Sequence, residues 1–487
     1  MNLDSDICKV EMGDDDSIRL TNGIVTVAYD TRLGTLSMTS SEKKTCFSRG
    51  YILVHTDRQV YDSRQMTYKS FSALDFHDDD IRGKSVILKI RDAEKTADLS
   101  IKISVYEKIP GFSVVVQFRN RSEEVKVKQI DTLVVDVDDA SRIITGWKKS
   151  DLTFFRNGFH SWELSQAHPI DTGVNMSHYY SVLNNTETKE SLIIGFTTHA
   201  DQFSTVTANG RDEETSRLAT LAATAHTDDI PVTEKDSLMS EEMLVLYGRN
   251  AIENVERYLD FTSVRMNART WYNVPAGWCS WYFYYTMPDE GEMIANTDFL
   301  ANRFGDSIEW IQIDDGYQMK VGDWEENSRF TSGLKNLVKE IKDRGYQAGI
   351  WTAPFVASEH SEIFEDKQDW FVKDKDNKPI VVGENPLWLG NYYALDLTNP
   401  KVIDHIKKIF KKLKKDGFTY FKIDFLYHAA LEGRRQDANM TRAQAIRQGL
   451  EAIRETVGDD LILGCGAPLG PCIGLVNMMR IGTDIGT

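Results

Sequence analysis

Residues 308–317 read IEWIQIDDGY, and residues 419–425 read TYFKIDF. Each is a short apolar run that ends in a carboxylate, a pattern typical of a buried parallel strand with a functional group at its carboxyl end. Further runs of this kind alternate with helical patterns, and we predict strands at 276–282, 308–314, 348–353, 419–425, 461–466 and 479–484. Repeated strand–helix units predict a parallel sheet.

Two helices between these strands have clear boundaries. One has an apolar face between Ser332, its predicted N-cap, and Gly345, its predicted end. The other runs from Pro400 in its first turn to Gly417. A closed (β/α)8 TIM-type barrel needs eight such units and six are present, so we predict a barrel that is truncated after strand six.

The first half of the chain has a different period. Leu99, Ile101, Ile103 and Val105 alternate with polar residues, which is typical of a strand with one buried face. Similar short segments at 112–118, 130–137, 191–197 and 243–247 follow without helices between them. We therefore predict a multidomain chain: an antiparallel β-sandwich at 1–250, a helical linker at 251–270 and the incomplete barrel at 271–487.

Composition narrows the class of protein. The chain has 487 residues and a formal charge of −17, which argues against nucleic acid or an anionic membrane as the partner. The sequence contains no stretch of about 18 uncharged apolar residues, so we predict no membrane-spanning helix. Five irregularly spaced cysteines without a CxxC pair, and an N-terminus without an apolar core, favour a cytoplasmic protein.

The sequence contains no recognisable cofactor or metal motif. Residues 83–85 read GKS but lack the earlier glycine of a phosphate-binding loop, and residues 464–470 have the wrong spacing for a dinucleotide loop. The ten histidines show no HExxH spacing. We therefore predict neither a cofactor nor a metal.

Carboxylates recur where strands two, four and six end. Lys422 and Asp424 are two residues apart, so both point the same way from one strand, and the same alternation places Arg480 beside Asp484 if their strand stays regular. A buried charge is costly unless it is paired or used. Two carboxylates that face one cavity suit glycoside hydrolysis, in which one attacks the anomeric carbon and the other protonates the leaving oxygen.

Tryptophans support a sugar as the ligand. Eight of the ten lie between Trp271 and Trp388, and the apolar faces of sugar rings stack on flat aromatic side chains. Trp351 stands at a predicted strand end, whereas Trp162 lies in the predicted β-domain. Cys465 has no evident histidine partner and is interpreted as an inert wall residue.

The motifs together resemble those of glycoside hydrolase family 36, the α-galactosidases of clan D. The resemblance is carried by WIQIDDGYQ from 310, GIWTAPF from 349, YFKIDF from 420, CGAPLG from 465 and RIGTD from 480. NGFHSWE at 157–163 resembles the aromatic motif of the family's N-terminal domain. The resemblance implies a β-supersandwich followed by a (β/α)8 barrel and a small C-terminal β-domain.

The same resemblance implies a role for each matching residue. Asp424 would be the nucleophile and Asp484 the acid/base of a retaining α-galactosidase. The substrate-binding residues would be Asp314 and Asp315, at the galactose O4 and O6, with Trp351, Lys422, Cys465, Gly466, Arg480 and Trp162. The implied partner is a small α-galactoside, and dimers or tetramers are common in the family, which suggests a homo-oligomer.

The chain departs from the family in two respects. It lacks the last two strand–helix units and the C-terminal domain, and NGFHSWE replaces the commoner WQSW form, so that His160 is expected to alter aglycone contacts. The segment 357–397 is too long for an ordinary loop, and we expect it to shape the leaving-group side.

Four other functions remain open on the sequence. The same site could serve α-N-acetylgalactosaminides, if there is room beside O2 near Cys465, or could transfer galactose to an acceptor sugar. A metal-dependent barrel would use Asp315, Asp424 and Asp484 as Mg²⁺ ligands. A non-catalytic fragment that only binds sugar is the fourth.

Overall fold

The computed structural model describes residues 7–78, 81–137, 143, 147–170, 173–210, 218–270 and 274–484. The chain divides into two compact units, which we call the first and the second unit. The first comprises Met1–Phe159 with Leu164–Met266, and the second comprises His160–Glu163 with Asn267–Thr487. Within the described ranges, no helix combines the length and apolar character that crossing a membrane requires.

The described part of the first unit contains twenty strands. They are β1 (Lys9–Met12), β2 (Ser17–Thr21), β3 (Val25–Asp30), β4 (Thr35–Ser40), β5 (Thr45–Thr56), β6 (Val60–Asp62), β7 (Thr67–Asp78), β8 (Ile81–Arg91), β9 (Ala97–Tyr106), β10 (Gly111–Asn120), β11 (Val125–Asp136), β12 (Leu152–Arg156), β13 (Gln166–Pro169), β14 (Gly173–His178), β15 (Tyr180–Asn185), β16 (Glu190–Phe196), β17 (Phe203–Gly210), β18 (Leu218–Val232), β19 (Ser237–Met239) and β20 (Met243–Arg249). Short 3₁₀ turns lie at Ser63–Gln65 and Lys149–Asp151.

These strands form two ten-stranded antiparallel sheets. The first has the order β1-β2-β3-β4-β5-β11-β18-β17-β14, with β6 beside β5. The second has the order β13-β12-β15-β16-β20-β10-β9-β8-β7, with β19 beside β10. The mostly β, sandwich-like first half that the sequence predicts is therefore confirmed.

The core of the first unit follows from the alternation along its strands. Leu99, Ile101, Ile103 and Val105 of β9 are all fully buried in one apolar cluster, as the period of two predicts. The helix α1 (Ala251–Arg265) lies in the predicted linker and packs on the second sheet, where the ring of Phe261 meets Tyr106 edge-on at 5.0 Å.

The described part of the second unit alternates strands and helices. The strands are β21 (Gly277–Cys279), β22 (Trp310–Ile313), β23 (Gln318–Lys320), β24 (Asp323–Glu326), β25 (Gln347–Thr352), β26 (Val356–Ser358), β27 (Val381–Asn385), β28 (Gly390–Ala394), β29 (Tyr420–Ile423), β30 (Leu461–Gly464) and β31 (Met478–Met479). The helices are α2 (Trp281–Tyr284), α3 (Glu290–Arg303), α4 (Leu334–Asp343), α5 (Glu362–Asp366), α6 (Pro400–Asp416) and α7 (Arg442–Val457). Short 3₁₀ turns lie at Gly305–Ser307, Gln368–Trp370, Pro386–Trp388 and Leu426–Ala430.

Six of these strands form one parallel sheet in chain order, β21-β22-β25-β29-β30-β31. All six predicted strand segments contribute to it, although β31 is only two residues long. In a parallel sheet of this kind the carboxyl ends of the strands lie along one edge, where functional groups collect. The segment after β25 carries its own small sheet, β26-β28-β27.

The helix boundaries test the capping signals. The helix α6 begins at Pro400, and Gly417 ends it in the left-handed conformation, as predicted. Its N-cap is Asn399, which was not predicted from the sequence and whose side chain accepts from the backbone N–H of Lys401. For α4, the prediction of Ser332 as N-cap is wrong. Gly333 occupies the cap position, because the hydroxyl and backbone N–H of Ser332 are bound to Glu290.

Candidate active site

A cavity of about 220 Å³ lies within the second unit. Its lining comprises Trp162, Trp281, Asp314, Asp315, Trp351, Asn385, Leu387, Lys422, Asp424, Phe425, Arg480 and Asp484. Eight of the ten residues predicted for the site line it, and the other two, Cys465 and Gly466, contact Trp162. Drug-sized ligands occupy pockets of about 300–1,000 Å³, so this smaller cavity suits a single sugar ring.

Asp424 is held at the end of β29. Its backbone N–H donates to the carbonyl of Thr352 at 2.8 Å, which continues the strand pairing by one residue. One carboxylate oxygen accepts from Trp351 Nε1 at 2.9 Å, and the other from the backbone N–H of Phe425 at 2.8 Å. The chain then turns sharply, since Phe425 has a φ of 56°. The carboxylate is therefore buried, oriented and supplied with two N–H donors.

Lys422 lies on the same side of β29 as Asp424, as the alternation predicts. Its Nζ donates to Asp314 Oδ2 at 2.9 Å. Burial opposes the charge of Lys422, but Asp314 and Asp424 outweigh it and hold the pKa of the ammonium well above its usual range. The buried cation therefore stays charged and offsets the two neighbouring carboxylates.

Both carboxylate oxygens of Asp314 already accept hydrogen bonds from neighbouring protein groups. Its Oδ2 accepts not only from Lys422 but also from Gln312 Nε2 at 2.5 Å and from the Cys279 thiol at 3.4 Å. Its Oδ1 accepts from the backbone N–H of Asp315 at 2.9 Å. Gln312 was not among the predicted site residues, although it lies two residues before Asp314 and the strand alternation could have identified it. Asp314 thus positions Lys422 in the wall of the cavity.

The Asp315 carboxylate is held by two N–H donors, one side-chain amide and one indole. Its Oδ2 accepts from Trp388 Nε1 at 2.8 Å and its Oδ1 from Gln318 Nε2 at 2.6 Å. Burial, reinforced by Asp314 and Asp424, raises the pKa of Asp315 to about 6. Trp388 belongs to the long segment 357–397, which also contributes Asn385 and Leu387 to the cavity.

Asp484 lies in a more exposed environment than Asp424. Its Oδ1 pairs with Arg480 at 2.5 Å and its Oδ2 accepts from Trp281 Nε1 at 3.1 Å, while 49% of its side chain is exposed. The expectation that a regular strand would align Arg480 and Asp484 is wrong, because β31 ends at Met479. The two side chains meet instead across an irregular turn, so the pairing survives for a different reason.

The segment His160–Glu163 belongs to the second unit and binds two of its loops. The backbone N–H of Ser161 donates to Ala467 at 3.0 Å, and its carbonyl accepts from Gly482 at 2.7 Å. Trp162 Nε1 donates to the sulfur of Cys465 at 3.4 Å. The His160 ring stacks on Tyr427 at 4.0 Å. This short segment therefore ties the loop after β30 to the segment that carries Asp484.

Cys465 fits the interpretation of a wall residue. It is fully buried, and burial together with the nearby Asp424 raises the pKa of its thiol far above neutral pH. A thiol that stays protonated is a poor nucleophile.

Gly466 offers a test of the contact with Trp162. It has a φ of 50°, and a Cβ added there would lie 2.9 Å from the Trp162 ring, whereas Gly305 has a φ of 47° and open space around it. We expect Gly305→Ala to lower the free energy of unfolding by about 1–2 kcal/mol. Gly466→Ala should cost a further ~1–3 kcal/mol, because Trp162 must shift. Urea unfolding of both variants measures the two free energies of unfolding. Equal losses of stability would contradict the contact between Gly466 and Trp162.

The carboxylates of the site are occupied by N–H donors rather than grouped as metal ligands. Among the described residues, no three or more His, Cys, Asp or Glu side chains are arranged so that they could hold a metal ion. The rival interpretation had placed Mg²⁺ on Asp315, Asp424 and Asp484. Each of these carboxylates instead accepts from an indole N–H, of Trp388, Trp351 and Trp281 respectively.

Comparison with known proteins shows what part of the second unit is similar to. Residues 276–457 match the family model described as Melibiase. The α-galactosidase AgaA of Geobacillus stearothermophilus is 32% identical over 146 residues, which cover 28% of this chain and 19% of that protein. The matched segments thus span about a fifth of the curated relatives' length.

Solved structures extend the similarity to most of the chain. An α-galactosidase from Thermus thermophilus, in complex with p-nitrophenyl α-D-galactopyranoside, is 26% identical with a TM-score of 0.57, covering 80% of this chain and 72% of that one. A family 36 AgaA variant from Geobacillus stearothermophilus shares the fold at a TM-score of 0.71 and 15% identity, covering 96% and 75%. The resemblance to the family 36 α-galactosidases that the motifs predict is confirmed by these matches.

Proposed function

We propose that this chain, a relative of the family 36 α-galactosidases, hydrolyses terminal α-linked galactose through a covalent galactosyl-enzyme. The observation that carries the proposal is one ring-sized cavity whose four lining carboxylates include two in contrasting environments, the buried Asp424 and the half-exposed Asp484. Such a pair is what glycoside hydrolysis requires. The complex of the similar Thermus enzyme with a galactoside supports galactose as the sugar.

Asp424 acts as the nucleophile in the first step. Its carboxylate forms a bond to the anomeric carbon while the bond from that carbon to the leaving oxygen breaks, and Asp484 gives its proton to that oxygen. In the second step Asp484 takes a proton from water, the water oxygen bonds to the anomeric carbon, and Asp424 leaves as a carboxylate. The charge on Asp424 is absent only while the ester exists, which is when Asp484 must accept a proton.

The other residues bind and orient the sugar. Trp351 fixes Asp424 by its indole N–H and packs against Trp324 and Trp388, so its ring position is well defined. Lys422 offers its remaining ammonium protons to ring hydroxyls, while Asp315 can accept from hydroxyls remote from the anomeric carbon. These assignments agree with the roles that the family resemblance implies.

Galactose is favoured over N-acetylgalactosamine by the packing beside Cys465. Trp162 donates to the sulfur of Cys465, and its ring lies against Gly466. We expect this packing to disfavour an acetamido group on the neighbouring part of the sugar. Galactosyl transfer to an acceptor sugar uses the same two steps with a sugar hydroxyl in place of water. Product analysis at high acceptor concentration distinguishes transfer from hydrolysis.

The proposal is tested by comparing p-nitrophenyl α-galactoside with the corresponding α-N-acetylgalactosaminide, each with and without EDTA. We expect turnover of the galactoside that EDTA does not change. Preference for the acetamido sugar would indicate an α-N-acetylgalactosaminidase. Inhibition by EDTA would favour the metal-dependent alternative. Binding of galactose by the folded chain without any turnover would favour the non-catalytic one.

Galactose binding should depend on pH through Asp315. Its folded-state pKa of about 6 lies above the ordinary carboxyl value, so the folded protein takes up this proton as pH falls through 6. Protonation removes an acceptor for sugar hydroxyls, and we expect galactose affinity to fall by about tenfold between pH 7 and pH 5. Asp315→Asn should bind more weakly but without this pH dependence, as measured by calorimetry.

The same protonation affects stability with a defined sign. Because burial favours the neutral form of Asp315, its contribution to stability is greatest below the unfolded carboxyl's pKa and is lost as pH rises through 6. The prediction about galactose binding has its own contrary outcome. If the affinity of Asp315→Asn for galactose changed with pH as in the wild type, a group other than Asp315 would cause the pH dependence of binding.

The wider organisation is also proposed. The six parallel strands are six of the eight of a (β/α)8 barrel, the domains divide at 250 and 270, and the enzyme works in the cytoplasm as a homo-oligomer. The irregular spacing of the five cysteines, without a CxxC pair, supports a reducing compartment. Light scattering of the purified protein measures the oligomeric state.

A further inference from the structure

One buried imidazole near the candidate active site has no part in the proposed bond exchange. His428 lies in the 3₁₀ turn Leu426–Ala430, shortly after β29, and is only 1% exposed. Its Nδ1 lies 3.1 Å from the carbonyl oxygen of Phe425, and its Nε2 lies 2.9 Å from the hydroxyl oxygen of Tyr392 on β28. Both ring nitrogens therefore have hydrogen-bond partners within the protein.

These two partners determine which nitrogen of His428 carries the proton. A carbonyl oxygen can only accept, so Nδ1 must be protonated to bind Phe425. Burial lowers the pKa of His428 to about 4, so the imidazole is neutral near pH 7 and Nε2 has a free lone pair. Burial also raises the pKa of Tyr392, whose hydroxyl keeps its proton and donates to Nε2. His428 is thus held as a single tautomer.

The carbonyl that His428 binds belongs to a residue in a strained backbone conformation. Phe425 has φ 56° and ψ 30°, in the left-handed region that residues with a Cβ rarely adopt. Its N–H donates to the Asp424 carboxylate at 2.8 Å, while its C=O accepts from His428. These two hydrogen bonds together fix φ and ψ. Without the second, Phe425 is free to relax towards a negative φ, which turns its N–H relative to the Asp424 carboxylate.

The rings around Phe425 reinforce the same arrangement. The His428 ring stacks on the Phe425 ring with the two centroids 5.6 Å apart. The rings of Tyr392 and Trp388 also contact the Phe425 ring, at 5.7 Å and 4.8 Å. Through Tyr392, His428 therefore ties the turn at Phe425 to β28, which gives this turn an anchor outside its own segment of the chain.

We infer that His428 is a positioning residue for the nucleophile, acting through the turn at Phe425. The hydrogen bonds run from the Tyr392 hydroxyl to His428, from His428 to the Phe425 carbonyl, and from the Phe425 N–H to Asp424. The inference rests on the proposed function, in which Asp424 attacks the anomeric carbon. A small displacement of a reacting group lowers the rate of reaction far more than it lowers substrate binding.

The test exchanges His428 for two amides that place their N–H donors differently. In His428→Asn the amide nitrogen stands near the position of Nδ1 and can donate to Phe425, whereas in His428→Gln it stands near the position of Nε2. We expect His428→Gln and His428→Leu to lower kcat for p-nitrophenyl α-galactoside by about 10–100-fold. KM should change by less than about threefold. His428→Asn should recover most of the lost kcat.

This order of activities separates positioning from simple packing. Glutamine is closer to histidine in volume than asparagine is, so a role in packing alone predicts that His428→Gln is the more active variant. Tyr392→Phe is the milder change, because it removes only the donor to Nε2, and it should lower kcat by about 3–10-fold. His405→Leu, at another imidazole whose pKa burial lowers, is the matched control on α6 and should leave kcat unchanged.

A second measurement on the wild-type protein needs no turnover. Nitrogen-15 NMR of labelled histidine shows which ring nitrogen carries the proton, and the His428 signal is the one missing from His428→Asn. We expect the neutral ring with its proton on Nδ1. A proton on Nε2, or a charged ring at neutral pH, would overturn the inference.

The outcomes also distinguish this inference from the proposed function. If the wild type hydrolyses the galactoside and His428→Leu keeps the same kcat, or His428→Gln is more active than His428→Asn, the inference is wrong and the proposed function stands. If the wild type hydrolyses no α-galactoside although His428 carries its proton on Nδ1, the proposed function fails and the inference fails with it.

Discussion

Asp424→Ala should lower kcat for α-galactosides by about 10⁴-fold or more, because no other group replaces the nucleophile. Asp424 is buried, accepts N–H donors on both oxygens and lies beside the charged Lys422. The small side chain should leave galactose binding measurable while ester formation becomes impossible. Steady-state kinetics and calorimetry with galactose measure the two effects separately.

The decisive control for this variant uses azide. In the space left by the Asp424 side chain, azide can attack the anomeric carbon of p-nitrophenyl α-galactoside directly, and the product expected is a β-galactosyl azide. Asp404→Ala, at an exposed carboxylate on α6, should leave activity unchanged. An α-configured product, or wild-type turnover in Asp424→Ala, would contradict the role of the nucleophile.

Asp484→Ala should have effects that depend on the leaving group. The oxygen of a second sugar leaves poorly unless it is protonated. The rate of hydrolysis of a disaccharide such as melibiose should therefore fall by about 10²–10⁴-fold. p-Nitrophenolate leaves without a proton, and its release should fall much less. The measurement is the ratio of kcat/KM for the two substrates, together with the size of the initial burst of p-nitrophenol as the galactosyl-enzyme accumulates.

The surroundings of Asp484 provide the matched comparison. Trp281→Phe removes one donor to Asp484 and keeps the carboxylate, so the leaving-group dependence should remain close to that of the wild type. If Asp484→Ala lowered kcat/KM equally for both substrates, the residue would act in binding rather than as the acid. Recovery of p-nitrophenyl turnover by added azide, without recovery of melibiose hydrolysis, is the expected complement.

Local pattern was enough to predict most of the fold. The apolar runs ending in Asp314 and Asp424 correspond to β22 and β29, because buried parallel strands leave a short apolar signature that needs no distant partner. The alternation at 99–105 correctly identified the face of β9 that packs in the core. The boundaries of α6 followed from its capping residues, which act within one helical turn.

Predictions failed where a residue's partner lies far away in the chain. Ser332 was expected to cap α4, but Glu290 of another helix binds it. The regular strand expected to align Arg480 with Asp484 ends after two residues, at Met479. In both places a local rule was overruled by a contact or a strand end that the neighbouring sequence does not encode.

The sequence by itself determined which residues stand at the ends of the parallel strands, since strand periodicity is a property of adjacent residues. It thereby identified Asp314, Asp424 and Lys422, and the common orientation of Lys422 and Asp424. Only the tertiary structure decided what holds the carboxylates in place. Trp388 reaches Asp315 across 73 residues, Trp281 reaches Asp484 across 203, and Trp162 reaches Cys465 across 303. Such hydrogen bonds form because packing brings distant segments together, and no local pattern of charge or hydropathy specifies their partners.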